Sequence, residues 1–129
     1  MSPLLLDTHL LLWAAASPQR LSDEVKDRLQ DPRQPLVFSV ASIWEVVIKS
    51  GLERPDFRVD ARRLRRGLLN AGYRELGIVS EHILGVARLP AIHKDPFDRV
   101  LVAQAETEGL TLLTSDPVVA RYPGSITLV

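Results

Sequence analysis

Apolar positions in this chain fall into two kinds of block. Short continuous runs stand at Leu4–Leu6, Leu36–Val40, Thr111–Thr114 and Ile126–Val129, and each is bounded by turn or capping residues. Runs of this length predict strands buried on both faces, and Tyr73–Val79 is a further candidate. Between the runs, apolar residues recur three and four apart, which is the spacing of amphipathic helices. One helix is expected from about Thr8 to Ala16, directly after Asp7 ends the first strand. Ser22 followed by Asp23 and Glu24 reads as an N-cap with acids in the first turn, opening a helix that carries Val25 and Leu29 and stops before Pro32. Ser39 or Ser42 caps the next helix, which holds Trp44, Glu45, Val47 and Ile48 and ends with Gly51 in the C′ position. The stretch from Glu53 to Phe57 contains Pro55 and reads as a loop. Asp60 caps a helix bearing Leu64, Leu68 and Ala71, closed by Gly72. Ser80 with Glu81 opens another, closed before Pro90. Asp95–Pro96 is a cap and first-turn pair for a helix closed by Gly109, and Asp116–Pro117 repeats that signature. Strands separated by helices imply right-handed crossovers and a mainly parallel sheet.

With that topology four separated acids acquire a common address. Asp7, Glu45, Asp98 and Asp116 each follow a strand end or lie in the first turns of the helix after it. In a parallel sheet those ends share one edge, where open α/β sheets bind ligands. Each acid has a plain structural alternative: a turn for Asp7, an i,i+4 pair with Lys49 for Glu45, helix-dipole complementation for Asp98 and capping for Asp116. Capping is the stronger reading of Asp95. Their joint placement is what independent caps do not explain. Charges about 5 Å apart repel by roughly 3 kcal/mol per pair at an effective dielectric of about 20, so such a cluster calls for a cation.

Composition narrows the chemistry. At 129 residues the chain is expected to form one domain over residues 1–129, with no second core. No apolar run approaches the ~20 residues of a membrane span, so no membrane association is expected. The first residues lack the basic start of a signal peptide, and the absence of cysteine suits a reducing cytoplasm. Zinc would have only three histidines to use. Sixteen basic residues balance sixteen acidic ones, so nucleic-acid binding would have to come from a local patch. Arg62, Arg63, Arg65 and Arg66 are such a patch, or the solvated sides of an amphipathic helix. Gly-rich phosphate loops are missing, which disfavours nucleotide triphosphates. His9 could approach the acids; His82 and His93 carry no evident signal. Trp13 and Trp44 read as core or interface anchors.

Three segments, LLLDTHLLLW at 4–13, FSVASIWEVVIK at 38–49 and HKDPFDRVLVAQAETEGLTLLTSD at 93–116, closely resemble PIN domains, and more narrowly the VapC-type toxins of toxin–antitoxin pairs. The resemblance implies a PIN-like three-layer α/β fold, with a five-stranded, mainly parallel sheet and helices on both faces. It places the family's acids at Asp7, Glu45, Asp98 and Asp116, with Asp7, Asp98 and Asp116 as metal ligands. Thr8, Asp95, Arg99 and Ser115 become accessory residues. It further implies an endoribonuclease using Mg2+ or Mn2+, an RNA substrate, a cognate antitoxin and a homodimer. Two other classes share parts of the pattern. An aspartyl-phosphate phosphohydrolase needs a second Asp two residues after the first, where this chain has His9. A non-catalytic module could use the same acids to receive a basic partner segment. An apolar surplus on the helices bearing Leu10, Leu11 and Trp13, and Val25 and Leu29, is the expected groove for an amphipathic partner.

Overall fold

A computed structural model describes residues 1–52 and 59–129; the loop expected at 53–57 lies outside them. Five strands, β1 (Leu4–Leu6), β2 (Leu36–Ser39), β3 (Arg74–Leu76), β4 (Thr111–Thr114) and β5 (Ile126–Leu128), form a wholly parallel sheet in the order β3-β2-β1-β4-β5. The helices are α1 (Thr8–Ala16), α2 (Asp23–Gln30), α3 (Val40–Ser50), α4 (Ala61–Asn70), α5 (Ser80–Val86) and α6 (Pro96–Glu108). Single turns of 3-10 helix occur at Pro18–Arg20 and Val119–Arg121.

Strand alternation divides the core into two. Leu4 and Leu6 point into one cluster with Leu10, Leu11, Val25, Phe38, Leu64 and Leu68, which seats α1, α2 and α4. Leu5 points the other way, with Val37, Leu101, Val102, Ala105 and Leu112, which seats α6. α5 packs on α6, so the sheet is covered on both faces. α3 supplies Val46 to the first cluster and Ala41 to the second. Both faces therefore need apolar residues at every central strand position, which is why β1 reads as an uninterrupted run.

The caps account for most element boundaries. Asp7, Ser22, Ser39, Asp60 and Asp95 each accept a backbone N–H in the first turn of the helix that follows. Gly109, with φ +68°, ends α6 in the left-handed region that L side chains disfavour. Three expectations are corrected and one is met. Gly51 is right-handed at φ −72°, still bonded to Val47 O, and is not a C′ glycine. Ser80 opens α5 as expected, with Val79 before it as the cap, its N–H donating to His82 Nδ1. The strand expected over Tyr73–Val79 pairs only at Arg74–Leu76, and Gly77 O accepts from Gln104 instead. Finally, Leu10, Leu11 and Val25 are buried in the core and take no part in the expected groove, while Trp13 and Leu29 pack against that core only partly buried. Exposed apolar side chains group elsewhere, on α3 (Trp44, Val47, Ile48) with Leu52 and on α5 (Ile83, Leu84) with Val79, besides Leu69 on α4 and the chain ends. No helix among the described residues is long and apolar enough to cross a membrane.

Candidate active site

The strand order changes direction at β1. Chain progress runs outward from β1 through β2 to β3, then crosses back to β4 and β5 on the other side. Asp7 follows β1, and Asp116 follows β4, whose Leu113 is in register with Leu6. The crevice at such a switch point is the binding position of open parallel sheets.

Asp7 is buried and fixed on both oxygens. Its Oδ1 accepts from Leu10 N at 2.9 Å, closing the first turn of α1. Oδ2 accepts from the Thr114 hydroxyl at 2.5 Å and from Ser115 N at 3.3 Å. Thr114 Oγ1 in turn accepts from Asp116 N at 3.0 Å, so one buried threonine ties Asp7 to the segment that carries Asp116. Asp116 Oδ1 accepts from Val118 N at 2.8 Å, an Asx turn in place of the helix its proline suggested. Thr114 was invisible as a site residue because its contact with Asp7 spans 107 positions. Ser115 takes part through its backbone N–H.

Glu45 lies about one turn into α3 and is 2% exposed. Thr8 donates to Glu45 Oε1 at 2.7 Å and shares a 3.0 Å hydrogen bond with Ser42 Oγ. Lys49 pairs with Glu45 Oε2. The i,i+4 pair read from the sequence is therefore real, but its acid is in the interior rather than on the surface.

Asp98 sits in the first turn of α6. Burial, followed by repulsion from Asp95 and Glu45 and, less strongly, Asp7, pushes its carboxyl up to about 7, with His93 opposing the rise. Asp95 is the cap of α6, accepting from Phe97 N at 2.8 Å and Asp98 N at 3.3 Å. Arg99 makes no ion pair with the acids among the described residues. Its guanidinium donates to Val86 O, Pro90 O, His93 O and Tyr122 Oη, clamping the loop before α6.

His93 is the residue that sequence reasoning passed over. Its Nε2 lies 3.5 Å from Asp98 Oδ2 and 3.5 Å from Asp116 Oδ2. Donor atoms of His93, Asp98 and Asp116 all fall within 4.8 Å of one another. Its position five residues before Asp98 in the HKDPFD segment was the available signal. A divalent metal fits the two carboxylates: Asp98 and Asp116 have no Lys or Arg partner among the described residues, and burial with the repulsion of neighbouring acids pushes the Asp98 carboxyl up. Hard oxygen donors of this kind suit Mg2+ or Mn2+.

The PIN domain family matches residues 4–125 of the chain. The chain belongs to the PIN domain family. "Ribonuclease VapC22" of Mycobacterium tuberculosis is 28% identical to this PIN domain over 131 residues, covering 99% of each protein. Among solved structures, DNA-bound VapBC from Salmonella typhimurium superposes with a TM-score of 0.71 at 15% identity, covering 98% of both chains. VapBC2 from Rickettsia felis, bound to a promoter DNA fragment, gives 0.70 at 13% identity, covering 98% of this chain and 96% of that one. At those identities the structural matches establish the fold: a five-stranded parallel PIN sheet between helical layers.

Proposed function

We propose that this PIN domain is a metal-dependent endoribonuclease, the toxin of a toxin–antitoxin pair. The observation that supports the reading best is the meeting of donor atoms of Asp98 and Asp116, with His93, within 4.8 Å at the switch point, where Thr114 and Ser115 also hold Asp7. A ribonuclease name on the VapC22 relative and the VapBC complexes among the fold neighbours support it. When bound, Mg2+ or Mn2+ supplies water activation, charge stabilisation and neutralisation of the leaving oxygen. Asp98 and Asp116, together with Asp7, are the residues that would hold it. Leu10 N, Thr114 and Ser115 N orient Asp7, so its carboxylate does not need to reorganise. Thr8 and Lys49 hold Glu45 with both oxygens engaged, which suits it to orienting water at the site.

Asp95 acts through the helix rather than through the metal. Asp95→Asn should keep α6 and most of the cleavage activity, since Asn caps about as well as Asp. Activity lost as completely as in Asp98→Asn would move Asp95 into the ligand set.

RNA requires positive charge that the balanced composition does not supply globally. Arg62, Arg65 and Arg66 with Leu69 line an open surface cavity of about 380 Å3 on α4. Arg65 is committed to Glu75 through contacts of 2.6 and 3.3 Å, while Arg62 and Arg66 enter no ion pair among the described residues. Replacing Arg62 and Arg66 with Gln should lower the salt dependence of RNA binding by about 0.7 in slope for each phosphate no longer neutralised. An unchanged slope would leave them as a solvated helix face.

Control by an antitoxin follows from the same electrostatics. A basic side chain entering between Asp98 and Asp116 would form charge-assisted hydrogen bonds and displace metal or substrate. Self-association is also expected, with the exposed apolar face of α3 as the surface it would bury. Expression in cells with and without the neighbouring reading frame, followed by RNA end-mapping, tests the whole reading. Growth arrest with new RNA ends only when the chain is expressed alone is the expected result. Normal growth with wild-type protein accumulating alone would reject the toxin assignment.

A further inference from the structure

The His93 ring is held more tightly than a loop residue usually is. Its backbone N–H donates to Tyr122 Oη at 2.8 Å, and the Tyr122 hydroxyl donates to His93 O at 3.2 Å. Arg99 also donates to His93 O, at 3.4 Å, while donating to Pro90 O on the same loop and to Val86 O at the end of α5. Tyr122 is itself part of the core beneath the sheet, so the loop is anchored to a buried side chain. Within the ring, Nδ1 accepts the Asp95 N–H at 3.0 Å.

That last bond decides the tautomer. A nitrogen that accepts a backbone N–H carries a lone pair there, so the neutral ring must carry its proton on Nε2. Nε2 is the atom that faces Asp98 and Asp116. His82 shows the same arrangement elsewhere in the molecule: Nδ1 accepts from Val79 N at 3.1 Å, and Nε2 faces the Glu108 carboxylate at 2.8 Å. In both rings the nitrogen that accepts the backbone N–H is Nδ1, so Nε2 carries the proton and is the donor.

Proximity alone would make His93 a metal ligand, since its Nε2 belongs to the group of donor atoms within 4.8 Å. Ligation needs the lone pair on Nε2 and therefore the proton on Nδ1. Nδ1–H would then point at the Asp95 N–H. Two donors would face each other at the cap of α6, and the Asp95 N–H would lose its acceptor.

We propose that His93 is a positioning residue and not a metal ligand: its Nε2–H, locked in place by the Asp95 N–H, bridges Asp98 and Asp116 and sets their separation. This rests on the metal-nuclease reading above. The metal site is then made of oxygen donors alone. Such a site favours Mg2+ or Mn2+ over zinc, which would gain from an imidazole.

The test does not depend on catalysis. Wild-type protein loaded with Mn2+ is examined by pulsed electron paramagnetic resonance, which reads nitrogen bound directly to the ion, and Mn2+ affinity is measured for wild type, His93→Ala and His93→Gln. The expected result is bound Mn2+ without directly coordinated nitrogen. His93→Ala should bind Mn2+ about 10–100-fold more weakly, as loss of an outer partner to a metal ligand does, with His93→Gln recovering part of the loss. Long-range proton–nitrogen NMR of the metal-free protein should show the Nε2–H tautomer. A directly coordinated nitrogen that disappears in His93→Ala would overturn the proposal, as would unchanged Mn2+ affinity in a folded His93→Ala variant. Failure of the wild type to bind Mn2+ or Mg2+ at all would instead sink the metal-nuclease reading, and this inference with it.

Discussion

Asp98→Asn should abolish metal-dependent RNA cleavage and leave the metal-free protein at least as stable as the wild type. Loss of an outer hydrogen bond to a metal ligand costs roughly 10–100-fold in activity, so loss of a ligand should exceed that. The stability result has the opposite sign from most buried substitutions because Asp98 is held against its own chemistry. Burial and the repulsion of Asp95, Glu45 and Asp7 raise its folded pKa from 3.8 to about 7. Between those two values the folded state keeps a proton that the unfolded state has released. Wild-type stability therefore falls as pH rises from about 4 to 7, and the whole deficit is present above pH 7. Asn has no proton to lose. The melting temperature of Asp98→Asn relative to wild type should thus be higher at pH 8 than at pH 5, measured without metal, and added Mg2+ or Mn2+ should stabilise the wild type more at pH 8. An equal difference at both pH values would show that Asp98 is not crowded. Asp7→Asn is a poorer probe than its sequence context suggests. An amide NH2 at Oδ2 would face the Thr114 hydroxyl and the Ser115 N–H, both donors, so fold stability should fall together with activity.

Lys49→Met should destabilise the protein by about 3 kcal/mol, the lower end for stranding one partner of a buried ion pair, because the lysine is partly exposed. For a chain of this length that corresponds to a melting-temperature drop of roughly 10 °C. Glu45 is left 2% exposed with Thr8 as its one side-chain donor among the described residues. Glu45→Gln combined with Lys49→Met should recover part of the loss, since no buried charge then remains. A Lys49→Met protein as stable as wild type would show that Glu45 does not depend on the pair.

The strands, caps and acid positions were legible because each is written locally. A three-leucine run ending in Asp7, and an Asp95–Pro96 pair before an apolar helix, encode their own conformations. What was not legible depends on register between distant segments. Thr114 meets Asp7 only because Leu6 and Leu113 are paired in adjacent strands. Lys49 was visible as a partner of Glu45, but not that α3 turns this pair inward beside Thr8. His93 looked inert in a loop because its significance comes from Tyr122, Arg99 and the Asp95 N–H, which together aim it between two carboxylates. Helix periodicity showed Leu10, Leu11 and Val25 to be apolar without showing how much sheet they had to cover. Both faces needed covering, and these residues are consumed by the core.

Cleavage of end-labelled RNA by the purified chain is the most direct measurement of the central claim. The account predicts cleavage with Mg2+ or Mn2+, none when the ions are chelated, return of cleavage when they are restored, and none at any metal concentration with Asp98→Asn. Cleavage that persists in the chelator, or that Asp98→Asn performs as well as the wild type, would contradict a carboxylate-held metal as the catalytic centre.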